Sequence, residues 1–410
     1  MMTINKLDFT KYINYIIIAY AFILPLSRAG ITFFTISMVT LWLIQGDFKE
    51  KFEKLKENMV IIAIVLFITF GYLSLFWTSS VNFAEGALTV SKILRLILLP
   101  LLVIVSTLKR EYLPKVITAF LAGMLISEIL SYGIFFELWT LNHASPGDPT
   151  PFMHHLDYST FLAFTSLLLL NRFFNTDKIK YKIFYFTYFL FVTSNLFLNG
   201  GRTGQLAFAI SIFAVGFTNI KNKTIAFFTM LALVIGIFYA AYNISPVFKD
   251  RFDAGVNEIN KIKSASASQY NGSLGLRLGA WIISLDMFID EPILGTGVGD
   301  LYEEFKKYSK NSSKELQIVQ TIGEFHNQYV QILVYGGIVG LMLYLLIWYN
   351  IFKLKIPDKS YSNLKIIFIV VFTIASLVEN LFNNQFPMSL FTLFIGIFIA
   401  LSTSTKDCKI

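Results

Sequence analysis

Cysteine is all but missing from this chain of 410 residues: Cys408, close to the C-terminus, is the one occurrence. That excludes an internal disulfide and any cysteine-based metal site, and the terminal thiol is read as bland rather than lipidated. Charge is the second shortage. Only 15% of the residues are charged and 55% are hydrophobic, where a soluble domain carries roughly a quarter charged residues. So little polar surface excludes a water-soluble globule. No small-residue cleavage site follows the first apolar run behind Lys6 and Lys11, so that run is expected to stay as an anchor. No Asp-x-Asp pair occurs, which removes the obvious ligands of a metal-dependent sugar-transfer site. Gly295-Thr-Gly297-Val-Gly299 lacks the spacing of a dinucleotide loop and no strand precedes it; a turn between loop helices is the simpler reading.

What is present is apolar and periodic. Twelve hydrophobic segments lie near 13–29, 31–46, 59–77, 87–105, 114–136, 156–174, 183–199, 204–219, 224–242, 326–350, 364–381 and 386–403. Runs of this size cross a hydrocarbon core of about 30 Å as helices. The fold class expected is an all-α membrane protein of about twelve transmembrane helices. The abundant Phe and Tyr are assigned to bundle and lipid contact. Lysine and arginine concentrate in alternate connections: Lys49 to Lys56, Lys109 and Arg110, Lys178 to Lys182, Lys221 and Lys223, Lys353 to Lys359. Segments 78–86, 137–155 and 382–386 contain none. The positive-inside rule makes the basic set cytoplasmic, with both termini. The net charge of +8 is therefore a topology signal, and no nucleic-acid partner is expected, since no basic patch on a soluble face is apparent.

The chain divides into helices over 1–242, a long outer loop at 243–325, and helices with a short tail over 326–410. The loop is mostly polar, yet Pro246 after Ser245 suits a helix start. Leu274, Arg277, Trp281, Leu285 and Phe288 recur at helical spacing. Asp300 with Glu303 resembles a capping box for a helix through about Ser309. The Ser/Ala/Gly-rich stretch 264–275 is read as locally mobile.

Positive charge on the outer face is scarce outside the loop, which makes each instance informative. Arg202 sits in Asn199-Gly-Gly-Arg-Thr-Gly204 and is either a helix-ending arginine or an anion ligand; its glycines would let a ligand approach the backbone. Arg28 closes the first span, and Lys92 and Arg95 lie inside the fourth. Ionisable groups at membrane depth usually face the bundle interior, a cavity or a partner, so structural pairing and function are both open for these three. Arg277 is a solvated helix residue or a ligand. His326, in Glu324-Phe-His326-Asn327, can exchange a proton near neutral pH or sit at the interface as a structural histidine. His154 and His155 share that ambiguity and lack the company of a metal site. Gly336 and Gly340 read as a close helix contact.

Three stretches together resemble the O-antigen ligase/polymerase family of bacterial membrane glycosyltransferases. They are Gly201-Arg202-Thr203-Gly204; Arg277 with Trp281 and Asp290 to Gly299; and His326-Asn327 followed by Tyr335-Gly-Gly337-Ile-Val-Gly340. The resemblance covers roughly 190–345 in detail and the rest as topology. It implies a fold similar to the GT-C class and a multi-pass protein of the inner membrane with its site on the periplasmic side. It implies an undecaprenyl-diphosphate-linked glycan as donor and lipid A–core or another glycan as acceptor, among membrane lipids, with no cofactor and no metal. By motif, Arg202 and Arg277 would hold the diphosphate and His326 would be the base, with Arg28, Lys92, Arg95, His154, His155, Glu324 and Asn327 as possible cavity residues. Direct attack at the anomeric carbon would invert it. Ligase is the first expectation, polymerase the second, and a non-catalytic transporter or flippase the rival of another class.

Overall fold

The computed structural model describes residues 8–79, 81–141, 143–264, 269–322 and 324–403. Cys408, Lys6, the chain ends and residues 265–268 of the Ser/Ala/Gly-rich stretch lie outside them. Among the described residues the fold is helical, with one isolated bridge between Ser145 and Asp148 and no strand.

The helices are α1 (Phe9–Ile23), α2 (Arg28–Gln45), α3 (Phe48–Leu55), α4 (Met59–Leu73), α5 (Phe83–Ile93), α6 (Leu99–Thr107), α7 (Leu113–Phe135), α8 (His155–Phe174), α9 (Ile179–Leu198), α10 (Arg202–Asn219), α11 (Lys223–Ile244), α12 (Pro246–Lys263), α13 (Ser273–Asp290), α14 (Leu301–Asn311), α15 (Gln328–Lys353), α16 (Lys359–Ala375) and α17 (Gln385–Thr403). A π-helical turn, Leu94–Leu98, joins α5 to α6. A helix occupies each apolar segment, and seven are long and apolar enough to cross a bilayer by length and composition. The chain is a multi-pass, all-α membrane protein.

Helices α1, α8, α9, α10 and α16 fall short of that measure for a physical reason. Helix α1 has 15 residues and α16 has 17. Helix α8 is buried on every side from Asp157 to Asn171, packing on α9, α10 and α16. A helix that faces protein rather than lipid can carry Asp157, Ser159, Thr160 and Asn171. The central seam is aromatic: Phe394 on α17 lies 4.5 Å from Phe164 on α8 and 5.7 Å from Phe368 on α16. Such ring pairs each add about 0.5–1.5 kcal/mol beyond their buried area.

Two boundaries differ from expectation. Arg28 does not close the first span; it opens α2, because the Ser27 hydroxyl accepts from the Gly30 N–H at 3.0 Å and starts a new helix there. The segment expected to run to residue 381 ends as a helix at Ala375. Residues 376–384 form a buried turn instead, with the Ser376 carbonyl accepting from the Gln328 N–H at 2.8 Å and the Gln328 side chain accepting from the Phe382 N–H at 2.8 Å.

The long loop is three helices tied to the bundle. Ser245 caps α12 through the Phe248 N–H at 3.2 Å, and Pro246 opens the helix as expected. Asp300 precedes α14 but its carboxylate does not cap it. The carboxylate accepts from the Ser79 N–H at 2.7 Å, the Ser79 hydroxyl at 2.6 Å and the Asn82 amide at 2.7 Å, so a partner more than 200 positions away outcompetes the local N–H groups. The glycine-rich turn does join α13 to α14, and it pairs with α15 by backbone. Thr296 and Gly297 donate to the Val334 and Tyr335 carbonyls, each at 3.0 Å, and Ile338 donates back to Pro292 at 2.9 Å. Gly337, at φ 58°, permits this. A Cβ there would lie 2.3 Å from the Ile293 carbonyl. Gly336 and Gly340 meet Phe70 of α4, the helix contact their spacing suggests.

Candidate active site

Arg202 begins α10 where the chain breaks from α9. Asn199 and Gln205 bridge the break: the Asn199 side chain accepts from the Gly201 N–H at 2.7 Å, and Gln205 donates to the Asn199 carbonyl at 3.0 Å. The neighbouring glycines do not serve a ligand. A Cβ on Gly204 would lie 2.0 Å from the Ser159 carbonyl, and one on Gly201 would lie 2.4 Å from the Ser159 hydroxyl, so both exist to let α8 approach. Gly200 alone of the three faces the cavity described below. The guanidinium is half held. Its Nη2 donates to the Arg251 carbonyl at 2.7 Å. Its Nη1 is buried without a hydrogen-bond partner among the described residues, with Glu258 4.0 Å away. Nη2 is thus oriented by backbone and Nη1 lies beside a carboxylate, while the Arg202 side chain lines the cavity described below.

Arg277 lies on α13, one turn before Trp281. The indole N–H of Trp281 donates to the Phe325 carbonyl at 2.9 Å, which fixes α13 against the segment carrying His326. Arg277 itself is partly buried. Burial lowers its affinity for the proton, with Glu379 acting against that; a guanidinium stays charged regardless.

His326 occupies the left-handed region, φ 46°, an uncommon conformation for a residue with a Cβ and one that clusters at functional sites. The turn after α16 holds it there. Asn327 donates its N–H to Asn380 at 3.0 Å, and the His326 Nδ1 lies 3.2 Å from the Glu379 carboxylate, which is 2% exposed.

These groups share one chamber. Arg202, Arg277 and His326 line a cavity of about 280 Å³ together with His154, His155, Gly200 and Arg251. One of these, Arg251, and Glu379 outside the cavity lining were not legible in the sequence. Arg251 comes from α12, inside a run of ordinary loop charges. Glu379, behind His326, ends an apolar segment and carried no motif beyond being a lone carboxylate there.

The remaining sequence candidates separate. His154 and His155 stack at 4.0 Å between ring centres. His155 reaches Asp148 at 3.4 Å. Burial and the neighbouring His155 lower His154 from its ordinary value, favouring a neutral ring. Burial raises the Asp148 carboxyl, but the bonds from His155 and Thr150 together with the two histidine charges outweigh that and leave it below its usual range. Glu324 adjoins the chamber; burial, then the Glu379 charge, raises it above the usual carboxylate range. Asn327 is a helix cap, accepting from Tyr329 and Val330 at 3.0 and 3.1 Å. Lys92 donates to the Asn383 carbonyl, Arg28 covers the Phe386 ring at 5.4 Å and Arg95 bonds its own helix at Ser91; none of these three lines the chamber. Glu324, His326 and Glu379 present oxygen and nitrogen atoms all within 4.8 Å of one another, a donor set with the chemistry to hold a cation as well as to move a proton.

Residues 187–345 match the family model described as O-Antigen ligase. They contain Arg202, Arg251, Arg277 and His326 and stop short of Glu379. An uncharacterized protein of Haemophilus influenzae is 24% identical over 341 residues, 82% of each chain.

Proposed function

We propose, from a chain that carries an O-antigen ligase family domain at 187–345, that it transfers a glycan from undecaprenyl diphosphate to a sugar hydroxyl of lipid A–core. On this reading the chain crosses the bacterial inner membrane twelve times with both termini cytoplasmic, and the chamber opens on the periplasmic side. The observation that carries it is the convergence of Arg202, Arg277 and His326, from α10, α13 and the start of α15, on one cavity.

The chemistry follows from the compartment. No nucleotide sugar is available outside the cytoplasm, so the donor arrives already activated as a lipid diphosphate. As the anomeric C–O bond breaks, its electron pair goes to the diphosphate, and negative charge grows on that leaving group. Arg277 and Arg202 bind the growing charge more strongly than they bind the donor, which lowers the barrier. His326 takes the acceptor proton as the new C–O bond forms on the opposite face, inverting the carbon. No metal is required for either task.

The test uses purified protein with lipid-linked donor and acceptor in chelator. Transfer is expected to persist, to fall by about 10²–10³ in Arg202→Ala and Arg277→Ala, and by roughly 10²–10⁴ in His326→Ala. Undiminished transfer in all three variants refutes the proposal, and loss of transfer in chelator refutes its metal-free form. In cells, loss of a ligase leaves polymer on the lipid carrier. Lipid A–core bearing a single repeat would instead identify a polymerase. Movement of intact substrate across liposomes would identify a transporter.

A further inference from the structure

We propose that Glu379 is a positioning residue for His326: its buried carboxylate accepts the Nδ1–H, leaving the lone pair of Nε2 as the base available to the chamber. The inference rests on the transfer reading above and extends it to a residue outside the matched family segment.

Geometry carries the argument. An imidazole has one proton to place in its neutral form, and the group bonded to one nitrogen decides which nitrogen is free. The Nδ1 of His326 has the Glu379 carboxylate 3.2 Å away. Glu379 is anchored in turn: its other oxygen accepts from the Asn380 N–H at 3.2 Å, while Asn380 receives the Asn327 N–H at 3.0 Å. The two residues, 53 positions apart, are thus fastened to each other through backbone and side chain. The left-handed backbone at His326 fits the same account, since a strained conformation persists only where its surroundings over-determine it. A histidine that merely filled the interface would need no carboxylate so deeply buried behind it.

In the reaction, the acceptor O–H proton passes to Nε2 and the ring becomes an imidazolium. The Glu379 carboxylate stabilises that cation without itself taking the proton. Other charged groups facing the pair are Glu324 on the same segment, Asp157 on α8, His154 just before it and Arg277 on α13. None of these has a hydrogen bond to the imidazole, so removing Glu379 removes the direct partner and leaves their fields in place.

The test compares the wild type, Glu379→Gln, Glu379→Asp, His326→Ala and the double variant Glu379→Gln/His326→Ala in the full-length chain. Glu379→Gln is expected to lower kcat by about 10²-fold with KM within about threefold of wild type. Glu379→Asp recovers part of the rate, and the double variant is no slower than His326→Ala alone. A second readout does not depend on turnover. Only four histidines are present, so the resonances of His326 in protein labelled with heavy nitrogen are assigned by their loss in His326→Ala. Wild type is expected to show the Nδ1–H tautomer and Glu379→Gln a mixture. An unchanged kcat or an unchanged tautomer in Glu379→Gln overturns the role of Glu379. If wild type transfers no glycan yet the tautomer responds, the transfer reading fails and the pairing stands.

Discussion

At the scale of single residues, the site depends on groups that are only partly satisfied by the protein. Arg202 has one guanidinium edge fixed by Arg251 and a buried Nη1 with no hydrogen-bond partner among the described residues. A buried donor left unpaired costs about 1–3 kcal/mol, which the Glu258 carboxylate 4.0 Å away offsets in part. Arg277→Lys therefore tests shape apart from charge. The ammonium keeps the charge and loses the planar fork, so it should lose at least about tenfold in kcat/KM for the lipid-linked donor. A rate equal to wild type in a steady-state assay would reassign Arg277 to a general electrostatic role. The arginines and His326 were legible in the sequence because charge is rare on that face. Glu379 was not, because its meaning depends on a turn that folds back against His326. Of the glycines around Arg202, legible as constrained positions, Gly201 and Gly204 admit Ser159 of α8 and Gly200 faces the chamber. Gly204→Ala should accordingly lower thermal stability in detergent by several degrees, since a Cβ there meets a backbone carbonyl at 2.0 Å and overpacking costs about 1–3 kcal/mol.

At the scale of elements, helix existence followed from apolar periodicity, whereas helix ends followed from contacts the periodicity does not contain. The expected capping role of Asp300 illustrates the difference. Its carboxylate bonds to the 79–82 turn, so it ties loop to bundle. Burial raises this carboxyl, but the bonds from Ser79 and Asn82 outweigh that and leave it below its usual range. A depressed carboxylate contributes stability that is present above its unfolded value, near pH 3.9, and lost as pH falls through the folded value. Limited proteolysis of α13 and α14 should therefore accelerate in wild type only below about pH 4. Asp300→Asn should be cut faster at neutral pH as well. Equal cutting of the two proteins at neutral pH would show that Asp300 carries no anchoring role.

At the scale of the molecule, a helix enclosed by protein is free to be polar or apolar: α8 carries Asp157 and Asn171, whereas α17, also mostly buried, is apolar enough to span. Helices α8 and α10 hold the inner wall of the site and are more polar than a spanning helix exposed to lipid. Their burial inside the bundle explains this, and it explains why hydropathy underrates them. The aromatic seam of α8, α16 and α17 supports the same wall. Phe394→Ala should cost about 3–5 kcal/mol by the cavity it leaves, seen as a lowered unfolding temperature. Since α17 follows directly on the 376–384 turn, the variant should, on the transfer reading proposed above, also reduce transfer.

The outer loop is fastened to the bundle at several separate points: Pro292 to Gly297 along α15, Asp300 on Ser79 and Asn82, and Trp281 on the Phe325 carbonyl. A segment stitched down on so many sides does not swing upward like a hatch. On the proposed reading, cargo bound for the arginines would then have to slip in edgewise, through a gap between helices, and traffic would be limited by how those walls part.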